Sequence, residues 1–320
     1  MIERRKLRER LRRLREAAGF TQREVSEELE WSLSKVIRIE TGSVGISITD
    51  LKALLQHYGV TDAAQVNETT AMARVARERP WWEPYKKDAP RGFLLSLGYE
   101  ATALRIRTFE PSLIPGLLQT EEYAAASLEL MSPPETVNAR AELRLKRQER
   151  VFHEDGPELH FIIDESAITR IVGSVSVMRR QLEHLLDMTQ NDQVTLRVVP
   201  FRAGLYPHFR TPYVIFEFKD PQDGTVLYLE STEDGADSIV REGPEWDTNQ
   251  SPDHYLENFF ALEQTAKKEE AADIITATLG RISPQRPGIN VRPVIPSESA
   301  VVAFSGQDGE APTVTAAEAD

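Results

Sequence analysis

The chain has 320 residues, a formal net charge of −13 and no cysteine. Its length suits about two domains, and the absence of thiols excludes disulfides and thiolate zinc sites and fits a reducing cytoplasm. No apolar run approaches the roughly 18 residues of a membrane span, and no apolar core follows the basic N-terminus, so a soluble cytoplasmic protein is expected.

The first element is a helix on which Leu7, Leu11, Leu14 and Ala18 recur on one face, with Arg8, Arg12 and Arg15 off it. Thr21 is a good N-cap for the next helix, and Glu24 three residues on completes a capping box. Val25 and Leu29 face inward there, and Ser26 is small enough to admit a second helix closely. Glu30 and Trp31 make a turn, and Ser32 caps a helix whose Val36 and Ile39 point inward. Leu33, Ser34, Lys35 and Arg38 are left on its outer side, and Thr41-Gly42 supplies a left-handed stop. Ser47 and Asp50 then cap a helix carrying Leu51, Leu54, Leu55 and Tyr58, which Gly59 ends. These short helices predict an all-α, five-helix bundle with a helix-turn-helix at its centre.

The ordered set Gly19-Phe20-Thr21-Gln22, Val25-Ser26, Ser32, Val36, Ile39-Glu40-Thr41-Gly42 resembles the helix-turn-helix domain of Cro and phage-repressor (XRE-like) regulators. The chain departs at Ser26, where alanine is usual, and at Glu30, where glycine is usual and positive φ is better tolerated. The resemblance implies that the outer side of the second motif helix enters a DNA major groove. Gln22 then sits where its amide and the helix amides can hold a phosphate. Ser32, Ser34 and Arg38 are the candidates for base edges, Arg38 as a bidentate partner of guanine, with Leu33 for a thymine methyl and Lys35 for a phosphate. Arg15 and Glu40 match a family pair that bridges the first helix to the end of the recognition helix, a scaffold role shared with the cap at Thr21.

Residues 1–60 hold 12 Lys/Arg against 9 Asp/Glu, a net of +3, which leaves 26 against 42, a net of −16, in residues 61–320. Eight of the basic residues lie between Arg4 and Arg15, either as a solvated helix face or as nonspecific phosphate contacts. An acidic body repels phosphate and leaves binding to a few local contacts. A single, weakly charged headpiece binds poorly, so a homodimer reading an inverted repeat of double-stranded DNA is expected.

A polar, Ala-rich stretch at 61–78 reads as a connecting helix, ended by Pro80-Trp81-Trp82-Glu83-Pro84-Tyr85, whose tryptophans are expected to dock the linker onto a domain, with ligand stacking as the alternative. The domains are accordingly 1–62, a linker at 63–90, a second domain at 91–280 and a tail at 281–320. In the second domain, helices are predicted at 93–105, 120–130, 134–153, 165–172, 175–190 and 252–278. Strands are predicted at 159–163, 194–199, 213–218 and 226–229, with a turn at Asp223-Gly224. A small sheet covered by helices makes this domain α+β or α/β. The tail, dominated by Pro, Gly, Ser, Ala and Glu, reads as disordered, with apolar islands at Val294-Ile295 and Val301-Val302-Ala303-Phe304.

Arg105-Ile106-Arg107-Thr108-Phe109-Glu110-Pro111, Ile114-Pro115-Gly116-Leu117-Leu118-Gln119-Thr120-Glu121-Glu122-Tyr123-Ala124, Val177-Met178-Arg179-Arg180-Gln181-Leu182 and Val198-Val199-Pro200-Phe201 resemble the uncharacterised, antitoxin-like C-terminal domain of actinobacterial Cro-type regulators. That resemblance implies a partner, such as a small protein encoded nearby, and supplies no catalytic residue.

No metal-ligand histidine spacing, phosphate loop or nucleophile elbow is present, so no metal site, cofactor or enzymatic activity is expected. The acid pairs Asp164-Glu165 and Glu233-Asp234 read as capping and surface charge. Tyr206-Pro207-His208-Phe209 reads as a loop near the sheet edge. The leading expectation is a sequence-specific transcriptional regulator whose second domain dimerises and receives a signal. The alternative is an antitoxin-like protein that neutralises a small partner and binds DNA only to regulate itself.

Overall fold

The computed structural model describes residues 2–42, 44–230, 239–242 and 250–282. The tail from 283 onward, with its apolar islands, and the pair Glu233-Asp234 lie outside the described residues. Among the described residues no helix is long and apolar enough to cross a membrane.

Five helices build the N-terminal bundle: α1 (Ile2–Ala17), α2 (Gln22–Glu28), α3 (Leu33–Glu40), α4 (Ile48–His57) and α5 (Ala63–Ala76). Leu7, Leu11, Val25, Val36, Ile39, Leu51, Leu54 and Leu55 form its core, none more than 6% exposed. Each contributes about 1.5–3 kcal/mol by leaving water, against about 1 kcal/mol for a helix cap. The core therefore holds the bundle, and the caps decide where each helix begins. The stretch read as a connecting helix is α5, and it packs against α1 and α4 with Ala73 fully buried. Its buried face is polar in sequence, with Thr69 and Thr70 under the surface and the Thr69 hydroxyl donating to Gln65 O, which disguised it. Trp81 and Trp82 dock as expected, against a cluster of Tyr85, Leu94, Leu97 and Leu143.

The second domain contains α6 (Arg91–Glu100), β1 (Arg105–Glu110), α7 (Glu121–Met131), α8 (Val137–Val151), β2 (Glu158–Asp164), α9 (Glu165–Thr169), α10 (Val175–Met188), β3 (Val194–Val199), β4 (Tyr213–Glu217), β5 (Thr225–Leu229), β6 (Ile239–Glu242), α11 (Pro252–Thr265) and α12 (Lys268–Arg281). The sheet order is β3-β2-β1-β4-β5-β6. β1, β2 and β3 run parallel, while β4, β5 and β6 form an antiparallel meander joined to β1. Alternation along the strands splits the core in two. Ile106, Phe161, Leu196 and Phe216 meet α10 and α12 on one face, and Phe109, Ile162, Ile215 and Leu227 meet α11 on the other. Helices on both faces of a mixed sheet fulfil the α+β or α/β expectation.

Two local expectations fail for identifiable reasons. The helix predicted at 93–105 ends at Glu100, and the chain then enters β1, a central strand. Central strands normally read as apolar runs, but here Arg107 and Thr108 are buried, Arg107 with Nε 2.7 Å from Glu217 and Nη1 3.5 Å from Glu263. The single helix predicted at 252–278 is two, α11 and α12, which serve opposite faces of the sheet. The chain crosses beside edge strand β3 at Ala266, which is fully buried and extended, its carbonyl accepting a 3.1 Å hydrogen bond from Arg197.

The bundle also touches the second domain directly. The Arg5 guanidinium donates to the Asp223 carbonyl in the turn between β4 and β5 and lies 5.8 Å from the Phe218 ring centre. Lys6 Nζ stands 3.0 Å from the Asp223 carboxylate, and both Arg5 and Asp223 are buried.

Candidate DNA-reading surface

The helix-turn-helix comprises α2, the turn at Leu29–Ser32 and α3. The capping box forms as expected: the Glu24 amide donates to the Thr21 hydroxyl at 3.2 Å, and the Thr21 amide donates to the Glu24 carboxylate at 2.7 Å. The bonds that its carboxylate accepts from the Thr21 amide and, at 2.9 Å, from the Thr21 hydroxyl hold the Glu24 carboxyl below its ordinary range. α2 ends in a Schellman arrangement, with Trp31 N donating to Ser26 O at 2.8 Å and Glu30 N to Glu27 O at 3.2 Å. The residue that reverses the chain is Glu30, at φ 54°. A side chain in this left-handed region is strained, and a carboxylate at a helix C-terminus opposes the dipole. Glu30→Gly is therefore expected to stabilise the motif by about 1 kcal/mol. Hydrogen exchange at the α2 and α3 amides measures this, and slower exchange in the variant is the expected result.

Ser32 caps α3, accepting from Lys35 N at 3.2 Å, and Gly42, at φ 72°, stops it. Val36 and Ile39 are buried as expected, while Ser32, Ser34 and Arg38 are exposed and Leu33 is half-buried. Among the described residues the Arg38 Nε bonds the Ser34 carbonyl of its own helix, at 3.3 Å. Ile37, 38% exposed, was missed in the sequence. Helical spacing places it between Leu33 and Ser34 around α3, which was the available signal.

The supporting residues form two polar networks. Arg15 Nε donates to Glu40 Oε1 at 2.7 Å, its Nη2 to Oε2 at 3.1 Å and its Nη1 to the Phe20 carbonyl at 2.8 Å. Arg15 is 8% and Glu40 2% exposed, so this pair ties α1 to the end of α3 in the interior, and Glu40 raises the Arg15 pKa further. Gln22 joins it, its Nε2 donating to Glu40 Oε2 at 2.8 Å, so that amide nitrogen is already engaged by the scaffold. Lys35 likewise has intramolecular partners: its ammonium is 2.9 Å from Asp50 Oδ1 and 3.6 Å from the Trp31 ring centre. Burial pushes the Asp50 carboxyl up, but hydrogen bonds from Lys35 and Ser47 outweigh it and bring it below its ordinary value.

The basic run of α1 is also largely engaged. Besides Arg5, Lys6 and Arg15, Arg4 donates to Ala76 O, Arg10 pairs with Glu68 at 2.8 Å and Arg13 with Glu9 at 3.6 Å. Most of these partners lie far along the chain, so no local pattern exposed them. Arg12 remains exposed and borders a shallow depression with Gly19, Thr21 and Gln22 at the start of α2.

A short helix with exposed polar and basic residues, fixed by one buried and one half-buried ion pair on a small helical core, defines a helix-turn-helix DNA-binding domain. Residues 6–68 match the family model of the helix-turn-helix domain, a match that runs into α5. Residues 95–246 match a domain of unknown function (DUF5753), so the chain joins a DNA-binding module to an uncharacterised one. No curated protein and no solved structure matches the chain.

Proposed function

We propose that the protein is a sequence-specific transcriptional regulator that binds an inverted repeat as a homodimer and receives a signal through its second domain. The observation that carries this reading is the division of labour on the motif. Arg15, Gln22, Lys35 and Glu40 are bound into the scaffold, while Ser32, Ser34, Ile37 and Arg38 project from α3. The grip of Asp223 on Arg5 and Lys6 gives the second domain a physical route to the headpiece. We read the protein as non-enzymatic because the acid pair Asp164-Glu165 is used structurally. Asp164 accepts from Ser166 N at 2.8 Å and from the Tyr206 hydroxyl at 2.6 Å, and Glu165 accepts from Phe201 N at 2.8 Å.

Selection of bound sequences from random duplexes tests this reading, and a palindromic motif with half-sites one helical turn, about 34–36 Å, apart is the expected outcome. Recovery of a single unrepeated half-site by a monomeric complex would refute the dimer.

The partner-binding reading rests on a separate observation. Phe201, Leu205 and Phe209, in the segment after β3, are 59%, 84% and 42% exposed, three large apolar side chains open to solvent within nine residues. Co-purification with the small protein encoded beside it, lost in Leu205→Asp, would favour an antitoxin-like role. Absence of any complex would remove it.

A further inference from the structure

A cavity of about 250 Å³ opens in the side of the headpiece, where α1, the end of α3 and the last turn of α5 converge. None of Ser32, Ser34, Ile37 and Arg38 lines it, so it is separate from the DNA-reading side of α3. Leu7, Leu11, Ile39 and Ile46 form its floor, and all four belong to the core that holds the bundle. On the α5 side the wall is made by Ala73 and Ala76, which offer only methyl groups and leave the space open.

The rim carries charge of one sign. Arg4, Arg8 and Arg77 border the cavity, and no carboxylate does. Arg4 Nε donates to Ala76 O at 2.6 Å, which sets a guanidinium over the C-terminal end of α5 and offsets carbonyls that would repel an anion. Glu83 lies within electrostatic reach of Arg4, but its carboxylate is 2.6 Å from the Lys86 ammonium. That ammonium first, and Arg79 and Arg4 less, hold the Glu83 carboxyl below its ordinary range. Arg77 is exposed and pairs with no carboxylate among the described residues.

We infer that this cavity binds an amphipathic anion, an acid head on a short hydrocarbon body. The head lies at Arg4 and Arg77, and the body lies on Leu7, Leu11, Ile39 and Ile46. Guanidiniums grip carboxylate and phosphate in the same forked geometry, so the shared chemistry is the acid head. A cation is repelled by the rim. An inorganic anion or a DNA phosphate leaves the floor unused, and a neutral hydrocarbon leaves the guanidiniums without a counter-charge. Pockets for drug-sized ligands hold roughly 300 to 1,000 Å³, so this one suits a smaller molecule. At about 10–15 Å³ per water-sized position, no more than roughly twenty heavy atoms fit. Val44, on the cavity wall, donates its amide to the Arg38 carbonyl at 3.2 Å, which joins the wall to the recognition helix. That an occupant adjusts DNA reading through this bond rests on the proposed function, but its binding does not.

The test is isothermal titration of the full chain, without DNA, using octanoate and octyl phosphate. Octanol and octylammonium serve as neutral and cationic counterparts, and acetate supplies the head without the body. Both octyl anions are expected to bind, the tighter one identifying the head group, and each counterpart at least about tenfold more weakly. Hexanoate, two methylenes shorter, is expected to bind about tenfold more weakly than octanoate. Arg4→Gln combined with Arg77→Gln is expected to weaken octanoate about tenfold. Ala76→Leu fills the cavity and keeps the backbone carbonyl that Arg4 uses, so it should abolish binding without lowering the thermal midpoint. Adsorption of octyl chains on exposed Phe201, Leu205 and Phe209 would survive that substitution. If Ala76→Leu unfolds the bundle, the arginine double variant and the hexanoate comparison still decide. No binding of either anion, octanol or octylammonium binding as tightly as octanoate, or octanoate binding unchanged in both variants would each overturn the assignment. Octanoate binding by a protein that selects no operator from random duplexes would support this site while counting against the regulatory reading.

Discussion

Arg15→Ala is expected to destabilise the headpiece by about 3–5 kcal/mol, because it strands the Glu40 carboxylate in the interior with its cation removed. Glu40 is 2% exposed, and the bonds that would remain come from the neutral Gln22. A free energy of that size is a large fraction of what a small domain possesses. Exchange of α1 to α4 amides should therefore accelerate while the sheet amides keep their protection. Specific and nonspecific DNA binding should fall together. The double variant Arg15→Met with Glu40→Leu separates pairing from packing: exchanging both charges for apolar groups of similar length should restore most of the loss. A single Arg15→Ala variant within about 1 kcal/mol of the parent would mean that water reaches Glu40 and the pair is not buried in solution.

Arg38→Ala tests recognition without touching the scaffold. The side chain is exposed and makes one long bond within its own helix, so the fold should not change. Loss of a bidentate contact to guanine lowers specific affinity by about 1–3 kcal/mol, roughly 5- to 150-fold. It also relaxes preference at one position of each half-site. Binding selection on the parent and the variant distinguishes this from a phosphate contact, which would weaken all sequences alike. An unchanged base preference with uniformly weaker binding would move Arg38 from the base edge to the backbone.

The headpiece was legible because its information is local. Thr21, Ser32 and Ser47 each cap a helix by accepting from the amide three residues on, and Gly42 and Gly59 stop helices where positive φ demands it. Even the anomalous turn at Glu30 could be located, since the Schellman geometry needs a left-handed residue whatever its side chain. The roles of Gln22 and Lys35 were harder to read. Their scaffold partners, Glu40 and Asp50, lie 18 and 15 residues away, and nothing in a short window distinguishes a free cation from a paired one. In the second domain, β3 and β5 were visible through their apolar content. β1 was hidden because buried Arg107 is neutralised by Glu217 and Glu263 from distant elements.

The contact of Arg5 and Lys6 with the β4–β5 turn bears on how two recognition helices would find two half-sites. A headpiece swinging on a free tether must search orientations at each encounter, and its effective concentration at the second half-site depends on tether length. Here α1 is anchored to the body at its first turns, so in the proposed dimer the distance and angle between the two recognition helices would be set by how the bodies associate. Operators with an inserted or deleted base pair between half-sites should then be rejected steeply, with the centre-to-centre ruler written into the body rather than into α3.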